Sequence, residues 1–295
     1  MGVYSIGGTE LQAVYEVDGD QAQEAYDVSG ELVYPVEIPD FEVMSFNVGC
    51  FYTEYFPAPS STGAVFYDRQ VSIFENYDNL FFAGMSEWYY QVGTVAASVL
   101  MGDFFNSYYP EYTAYAIEGA ALTSAFSGTP SSVTLTAYQT QGNNTRYYQK
   151  AYCDYYGKTI CCILTHLDLN NTVRTAQFLE LMEAVENEEY FIITGDFNFE
   201  ITEIGDSQYN ASIKVAIDKG YHSAQNGSGI LMTWYSGQTA ASSQNIYCLD
   251  NIITSPNIEI LEFVRDDTKL TDGLCTEYGI IIDHLPVVAT LRITE

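Results

Sequence analysis

The stretch that most constrains this chain is Tyr190 to Glu200, YFIITGDFNFE. Phe191, Ile192 and Ile193 are consecutive bulky apolar residues, so a strand here is expected to be buried on both faces. The run stops at Gly195, and Asp196 and Asn198 follow, two apart and on the same side if the extension continues. A carboxylate and a carboxamide at the end of a buried strand are well placed to grip a cation or orient a water. The competing reading is a turn, because Asp, Asn and Gly all favour one. The rest of the chain decides between them.

At 295 residues the chain could form one large domain or two small ones, and 47% hydrophobic residues supply a sizeable core. Against 39 Asp and Glu stand only 10 Lys and Arg, giving a net charge of −29. Such a charge favours solubility and repels polyanions at long range, which argues against nucleic-acid binding across a broad basic surface. A metal-dressed cleft is still compatible, since screening confines the repulsion to about 10 Å at moderate salt. No segment reaches the roughly 18 apolar residues of a membrane span, and MGVYSIGGTELQ lacks the basic start and apolar run of a secretory signal. Ile6 stands where a myristoylation signal carries Ser or Thr. A soluble chain is expected, in the cytoplasm or reaching a virion or the exterior by another route. Cys50, Cys153, Cys161, Cys162, Cys248 and Cys275 have no CxxC or zinc spacing, so buried free thiols are expected.

Residues 1–39 differ in texture from 40–295. Val14-Tyr15-Glu16-Val17-Asp18-Gly19-Asp20 recurs as Ala25-Tyr26-Asp27-Val28-Ser29-Gly30-Glu31, which reads as two short hairpins. Two hairpins bury too little to be stable alone, so this extension should pack on the main domain or associate with another chain. From Phe41 the pattern is of strands with helices dispersed among them. Strands are expected at Phe41 to Val48, Asn79 to Ser86, Tyr112 to Thr123, Ser132 to Tyr138, Asn245 to Thr254, Glu259 to Arg265 and Val287 to Ile293. Arg146 to Tyr155 and Thr159 to Thr165 should pair as a hairpin through Tyr156-Gly157-Lys158. Helices are expected at Phe66 to Tyr77, Val92 to Met101, Thr172 to Glu186 and Ser212 to Lys219, the third with Val173, Ala176, Phe178, Leu179 and Met182 inward. The order implies sheets covered by helices in one large α/β domain.

Asn47, Glu87, His166, Asp196 with Asn198, Asp250, and Asp283 with His284 each follow or interrupt an apolar strand, so all could converge at one edge of a sheet sandwich. Singly each has a plainer reading: a histidine after a strand is usually structural, as His222 is expected to be, and Asp250 could be a turn residue. Their joint order resembles the endonuclease/exonuclease/phosphatase superfamily, which has the fold of deoxyribonuclease I. The segments MSFNV, AGMSE, LTHLD, ITGDFN, CLDNI and IDHLPV carry the resemblance over residues 41 to 295.

The resemblance implies an α/β (α+β) four-layer sandwich of two packed mixed β-sheets flanked by helices. It also implies a divalent-metal-dependent phosphodiester hydrolase, first of all a deoxyribonuclease I-like endonuclease acting on DNA or another phosphodiester. The alternatives are a phosphatase or lipid phosphodiesterase of the same superfamily, or a non-catalytic binding protein that kept the fold. By resemblance Glu87 and Asn47 hold Mg²⁺ or Mn²⁺ (Ca²⁺ being a further candidate), with Asp283 close by; oxygen donors suit these ions. Asp196 and Asn198 would orient or deprotonate the attacking water. His284, partnered by Asp250, would contact the scissile phosphate, since a carboxylate fixes an imidazole's tautomer and raises its pKa. His166 matches a second histidine of the deoxyribonuclease-like branch, Glu118 its carboxylate partner, and Arg146 a phosphate-gripping arginine. Two positions depart from the pattern. Ser86 stands where Gln usually precedes the metal Glu, and Cys248 where a basic residue commonly lies two before Asp250. The tyrosines at 52, 55, 89–90, 108–109 and 147–148 could stack bases or cover a sheet.

Overall fold

Every residue from Ile160 to His166 and from Tyr190 to Phe199 is buried, yet the two faces of these strands meet different partners. Cys161, Ile163, Phe191 and Ile193 join Phe178, Leu181 and Met182 in one apolar cluster. The residues between them face the other way: a Cβ on Gly84 would run into Thr194 and would come within 2.9 Å of Leu164. A period-two strand covered on both faces is what the continuous apolar run demands.

The computed structural model describes residues 5–6, 9–10, 13–18, 21–26, 32–35, 38–48, 72–87, 91–92, 95–96, 113–117, 121–201, 212–227, 233–236, 244–267 and 284–294. The chain divides into two compact units, Met1–Pro39 and Asp40–Glu295. In the first, β1 (Ser5–Ile6) pairs with β2 (Thr9–Glu10), and β3 (Ala13–Asp18), β4 (Gln21–Tyr26) and β5 (Leu32–Pro35) form a three-stranded antiparallel meander. β4 thus pairs with both β3 and β5.

The second unit opens with β6 (Phe41–Asn47), β7 (Leu80–Ser86), β8 (Gln91–Val92), β9 (Val95–Ala96), β10 (Thr113–Ile117) and β11 (Leu122–Phe126). It continues with β12 (Ser132–Ala137), β13 (Tyr147–Tyr155), β14 (Lys158–His166), helix α1 (Asn171–Ala184) and β15 (Phe191–Ile201). Next come α2 (Lys214–Asp218), β16 (His222–Ser223), α3 (Ala224–Gly227), β17 (Trp234–Ser236), β18 (Gln244–Thr254), β19 (Ile258–Arg265) and β20 (Val287–Ile293).

Two mixed sheets result. One has six strands in the order β10-β11-β7-β6-β20-β19, and the other seven in the order β12-β13-β14-β15-β18-β16, with β17 also on β18. Each contains one parallel pair, β6 with β7 and β14 with β15, while its other pairings are antiparallel. The central strands of the two sheets face each other, β7 against β14 and β6 and β7 against β15. This is the sandwich the sequence implies, with α1 and the Ile213–Ala216 region on the outer face of the seven-stranded sheet.

Three local expectations change. Val92 to Met101 is not helical where it is described: Val92 pairs with Val95. Tyr112 to Thr123 is not one strand, because Ala121 turns with φ 51° and the chain doubles back as β10 and β11. Of the helix expected at 66–77, residues 72–76 form a 3₁₀ turn and 66–71 lie outside the described residues.

Helix α1 forms where expected, but rotated. Its buried residues are Arg174, Gln177, Phe178, Leu181 and Met182, spaced three and four apart, while Leu179 is 43% exposed. Two polar side chains explain the rotation. Gln177 accepts from the Asp168 amide and donates to the Thr140 carbonyl, and Arg174 donates to the Leu169 carbonyl at 2.8 Å. The inner face thereby holds the loop that follows β14. Asn170 caps the helix by accepting from the Thr172 and Val173 amides, which satisfies two donors a helix start leaves open.

Candidate active site

Register brings the site together. Asp196 on β15 lies directly beside His166 on β14 and Asp250 on β18. Residues opposite one another in a ladder share a face, so these three form a row across the seven-stranded sheet. They occupy the face of Leu164 and Thr194, which looks toward the other sheet. From that sheet come Asn47, at the end of β6 and in register with Ser86, and Glu87, just past β7. β6, β7 and β14 thus end at the site, β15 passes through it, and β18 and β20 run away from it.

The focus is a single oxygen. Asp196 Oδ2 accepts from Asn47 Nδ2 at 3.0 Å, with His166 Nε2 at 3.6 Å and His284 Nε2 at 3.7 Å. Glu87 Oε1 lies 3.9 Å from the same His166 nitrogen. The imidazole separations are too long for strong direct hydrogen bonds. The other Asp196 oxygen accepts from the Asn198 amide at 2.8 Å, and the Asn198 side chain donates to the Leu167 carbonyl at 2.9 Å. Burial pushes the Asp196 carboxyl up to about 7 against the opposing pull of His284, and burial also drives the His166 imidazole well below its usual range.

His284 Nδ1 is 2.8 Å from Asp250 Oδ2. A carboxylate only accepts, so Nδ1 carries the proton and Nε2 is turned toward Asp196. Asp250 is fully buried, and its second oxygen has no hydrogen-bond partner among the described residues. The Thr233 hydroxyl accepts from the Leu249 and Asp250 amides, both at 3.1 Å, and the Thr233 carbonyl accepts from Leu285. Gln225 donates to the Asp250 carbonyl at 2.8 Å. Thr233 therefore brackets both halves of the Asp250–His284 pair.

Backbone strain is concentrated here. Glu87 and Asn198 hold φ of 59° and 52°, a region non-glycine residues seldom occupy. Gly195 has φ 155°, and a side chain there would collide with the Thr165 carbonyl. The turn reading of Asp196 is thus set aside: β15 runs through it to Ile201, with a register shift between Asp196 and Ile201.

Arg146 follows the 138–146 loop at the start of β13, near enough to His166 for its charge to act on the imidazole. Its backbone is fixed by Gln141, which accepts from its amide and donates to its carbonyl, while its Nε is buried with no partner among the described residues. Glu118 and Asp283 lie outside the described residues, as do Cys50, Cys275 and the tyrosines at 52, 55, 89–90 and 108–109. The Tyr148 ring packs 5.3 Å from Tyr138, covering the sheet. His222 sits at the far end of β18, opposite Thr254, with Nδ1 2.9 Å from the Ile258 carbonyl. Ser86, the departure before Glu87, is buried with its hydroxyl unpartnered. Sequence reasoning missed Ser45, Thr233 and Gln225. Nothing local marks Thr233 or Gln225, and only the alternation along β6 puts Ser45 on the face of Asn47.

The residues fit a hard divalent cation. Asn47 spends its amide nitrogen on Asp196, so its carbonyl oxygen and the Glu87 carboxylate are neighbouring oxygen donors at adjacent strand ends. Among the described residues no three His, Cys, Asp or Glu side chains close around a metal. Mg²⁺ is commonly held by one or two carboxylates with several waters retained, so such a donor set is sufficient.

No family model and no curated protein matches the chain. Solved structures do. An endonuclease/exonuclease/phosphatase protein from Bacteroides vulgatus superposes with a TM-score of 0.63 at 14% identity, covering 86% of this chain and 99% of that one. D. rerio TDP2 complexed with a single-strand DNA product gives 0.59 at 12% identity, covering 86% and 99%. A mannosyl-6-phosphatase from Bacteroides thetaiotaomicron gives 0.57 at 13% identity, covering 86% and 100%. At such identities the likeness is one of fold, and the two packed mixed sheets agree with it: the chain has the deoxyribonuclease I-like fold of the endonuclease/exonuclease/phosphatase superfamily.

Proposed function

We propose that the protein is a divalent-metal-dependent phosphoesterase, and that its substrate is a phosphodiester, DNA first. The observation that carries the reading is the convergence of Asn47, His166 and His284 on one buried oxygen of Asp196. Phosphoester cleavage needs an aligned water, neutralised non-bridging oxygens and a stabilised leaving oxygen. Asp196 orients the water, held by the Asn47 amide and the Asn198 backbone. His284 presents Nε2 to the phosphate because Asp250 holds its other nitrogen. His166 donates from the opposite side, and Arg146 offers a planar fork to a phosphate oxygen. A divalent cation on Glu87 and Asn47, with Asp283 as a further candidate ligand, would supply charge neutralisation when bound.

The preference for a diester draws support from TDP2, whose structure holds a DNA product. The net charge of −29 favours a second reading, hydrolysis of a small phosphomonoester, because a short substrate avoids the repulsion a long polyanion meets. The deciding experiment compares nicking of supercoiled plasmid, bis-p-nitrophenyl phosphate and p-nitrophenyl phosphate with Mg²⁺, with Mn²⁺ and with EDTA. Metal-dependent nicking is expected, still rising at millimolar Mg²⁺. Monoester hydrolysis alone would move the substrate class, and no turnover of any of the three would sink the enzyme reading.

A further inference from the structure

Ser45 touches neither end of the Asp250–His284 pair and lies two residues before Asn47, yet it makes the second bond between the two sheets at the site. The Gly195 amide donates to Ser45 Oγ at 2.9 Å, one residue before Asp196. Gly195 sits in the middle of the seven-stranded sheet, beside Thr165 and Asn251. Its φ of 155° and the close Thr165 carbonyl show a local departure from regular extension that only glycine accommodates. The amide finds an acceptor on the facing sheet, the Ser45 hydroxyl. Ser45 and Asn47 point the same way from β6, and their partners Gly195 and Asp196 are consecutive. Two bonds from one strand face therefore fix both the backbone leading into Asp196 and its carboxylate.

We propose that Ser45 is a positioning residue: its hydroxyl holds the Gly195 peptide, and through it sets the angle at which Asp196 meets His166 and His284. The proposal rests on the reading of Asp196 as the group that orients the attacking water. Ser45 is completely buried, so loss of its hydroxyl would take this acceptor from the Gly195 amide with no water to replace it. The least costly relaxation is a rotation of the peptide, which swings the Asp196 side chain. A displacement of about 1 Å at a reacting group costs on the order of 10²-fold in rate.

The test uses the full chain with Ser45→Ala, Ser45→Thr and Ser124→Ala. Ser124 is likewise buried between the sheets, bonded to Gln149, but two ladder steps from Ser86 and away from the Asp196 row, so it reports the cost of losing any cross-sheet hydroxyl. Two readouts are taken: kcat and KM with Mg²⁺ on whichever ester the wild type turns over, and hydrogen exchange at the Gly195 amide by NMR. Ser45→Ala should lower kcat by about 10²-fold with KM unchanged and speed exchange at Gly195. Ser45→Thr should restore both, and Ser124→Ala should leave kcat and Gly195 exchange as in wild type. Wild-type kcat in Ser45→Ala, or an equal loss in Ser124→Ala, would overturn the positioning role. A wild-type protein with no turnover would overturn the enzyme reading instead. The exchange rates then decide alone: protection of Gly195 unchanged in Ser45→Ala refutes the contact.

Discussion

The two sheets contribute to the site in different ways. The seven-stranded sheet offers His166, Asp196 and Asp250 from within its ladder, side by side and buried. The six-stranded sheet offers Asn47 and Glu87 from strand ends, and the Glu87 side chain is 24% exposed at a left-handed backbone position. One half is dry and fixed by register; the other is buried at Asn47 and reaches solvent at Glu87. The division suits the chemistry assigned to each. Acid–base and orienting groups gain from a low dielectric and a fixed angle, whereas a cation such as Mg²⁺ keeps several waters and needs an open side.

The comparison breaks first where the halves meet, at His284, which precedes β20 of the six-stranded sheet and is held by Asp250 of the seven-stranded one. His284→Ala removes the imidazole that Asp250 orients, and kcat should fall by about 10³–10⁴-fold, within the range attributed to acid–base catalysis and directed electrostatic stabilisation. A fall of less than tenfold would detach the Asp250–His284 pair from the chemistry.

Glu87→Gln probes the wet half. Kinetically the loss should be smaller, about 10²-fold, because Asn47 and retained waters still hold the cation. Its sharper signature is thermodynamic. A ligand at 100 times its Kd stabilises the folded state by about 2.7 kcal/mol, or roughly 2–4 °C in Tm per kcal/mol for a domain of this size. The wild type should show that rise with Mg²⁺ and the variant should lose most of it. An equal rise in both would move the metal away from Glu87.

Thr233→Val is a subtler cut at the dry half. Valine keeps the shape but cannot accept from the Leu249 and Asp250 amides. Two buried donors losing one acceptor should cost about 1–3 kcal/mol of stability, and the loosened Asp250–His284 pair about tenfold in kcat. Full activity with the stability lost would mean that Thr233 braces the strand without setting the pair.

The same contrast explains what the sequence made legible. The GDFN segment, the hairpin at 155–158 and α1 were readable because each rests on local signals: an apolar run, a glycine turn, a helical period. The convergence of Asn47 with Asp196 is a contact across 149 residues, and only the ordered resemblance suggested it. Ser45, Thr233 and Gln225 were illegible because a buried serine, threonine or glutamine takes its meaning from whichever backbone group lies opposite. The inward face of α1 was misjudged for a related reason. Arg174 and Gln177 look like solvent residues until the carbonyls and amides they bind are known.

The smallest effect expected concerns the stability of the dry sheet itself. All four described cysteines, Cys153, Cys161, Cys162 and Cys248, are buried thiols on β13, β14 and β18 of the seven-stranded sheet. Burial pushes the Cys161 thiol up to about 12, and raises Cys162 and Cys248 well above their ordinary value. In the unfolded chain these thiols ionise near pH 8.5. Above that pH the folded state binds more protons than the unfolded state, so stability must fall as pH rises. The contribution is complete below the unfolded value and is lost progressively toward the folded one, near 12 for Cys161. Each thiol should steepen the decline by about 1.4 kcal/mol per pH unit once the unfolded form is ionised. Urea midpoints between pH 8 and 10.5 measure it, and Cys161→Ala should flatten the slope while lowering stability at neutral pH through the cavity it leaves. An unchanged slope in the variant would mean that Cys161 escapes ionisation in both states or neither, and that other groups, the buried Tyr138 hydroxyl first, govern alkaline unfolding.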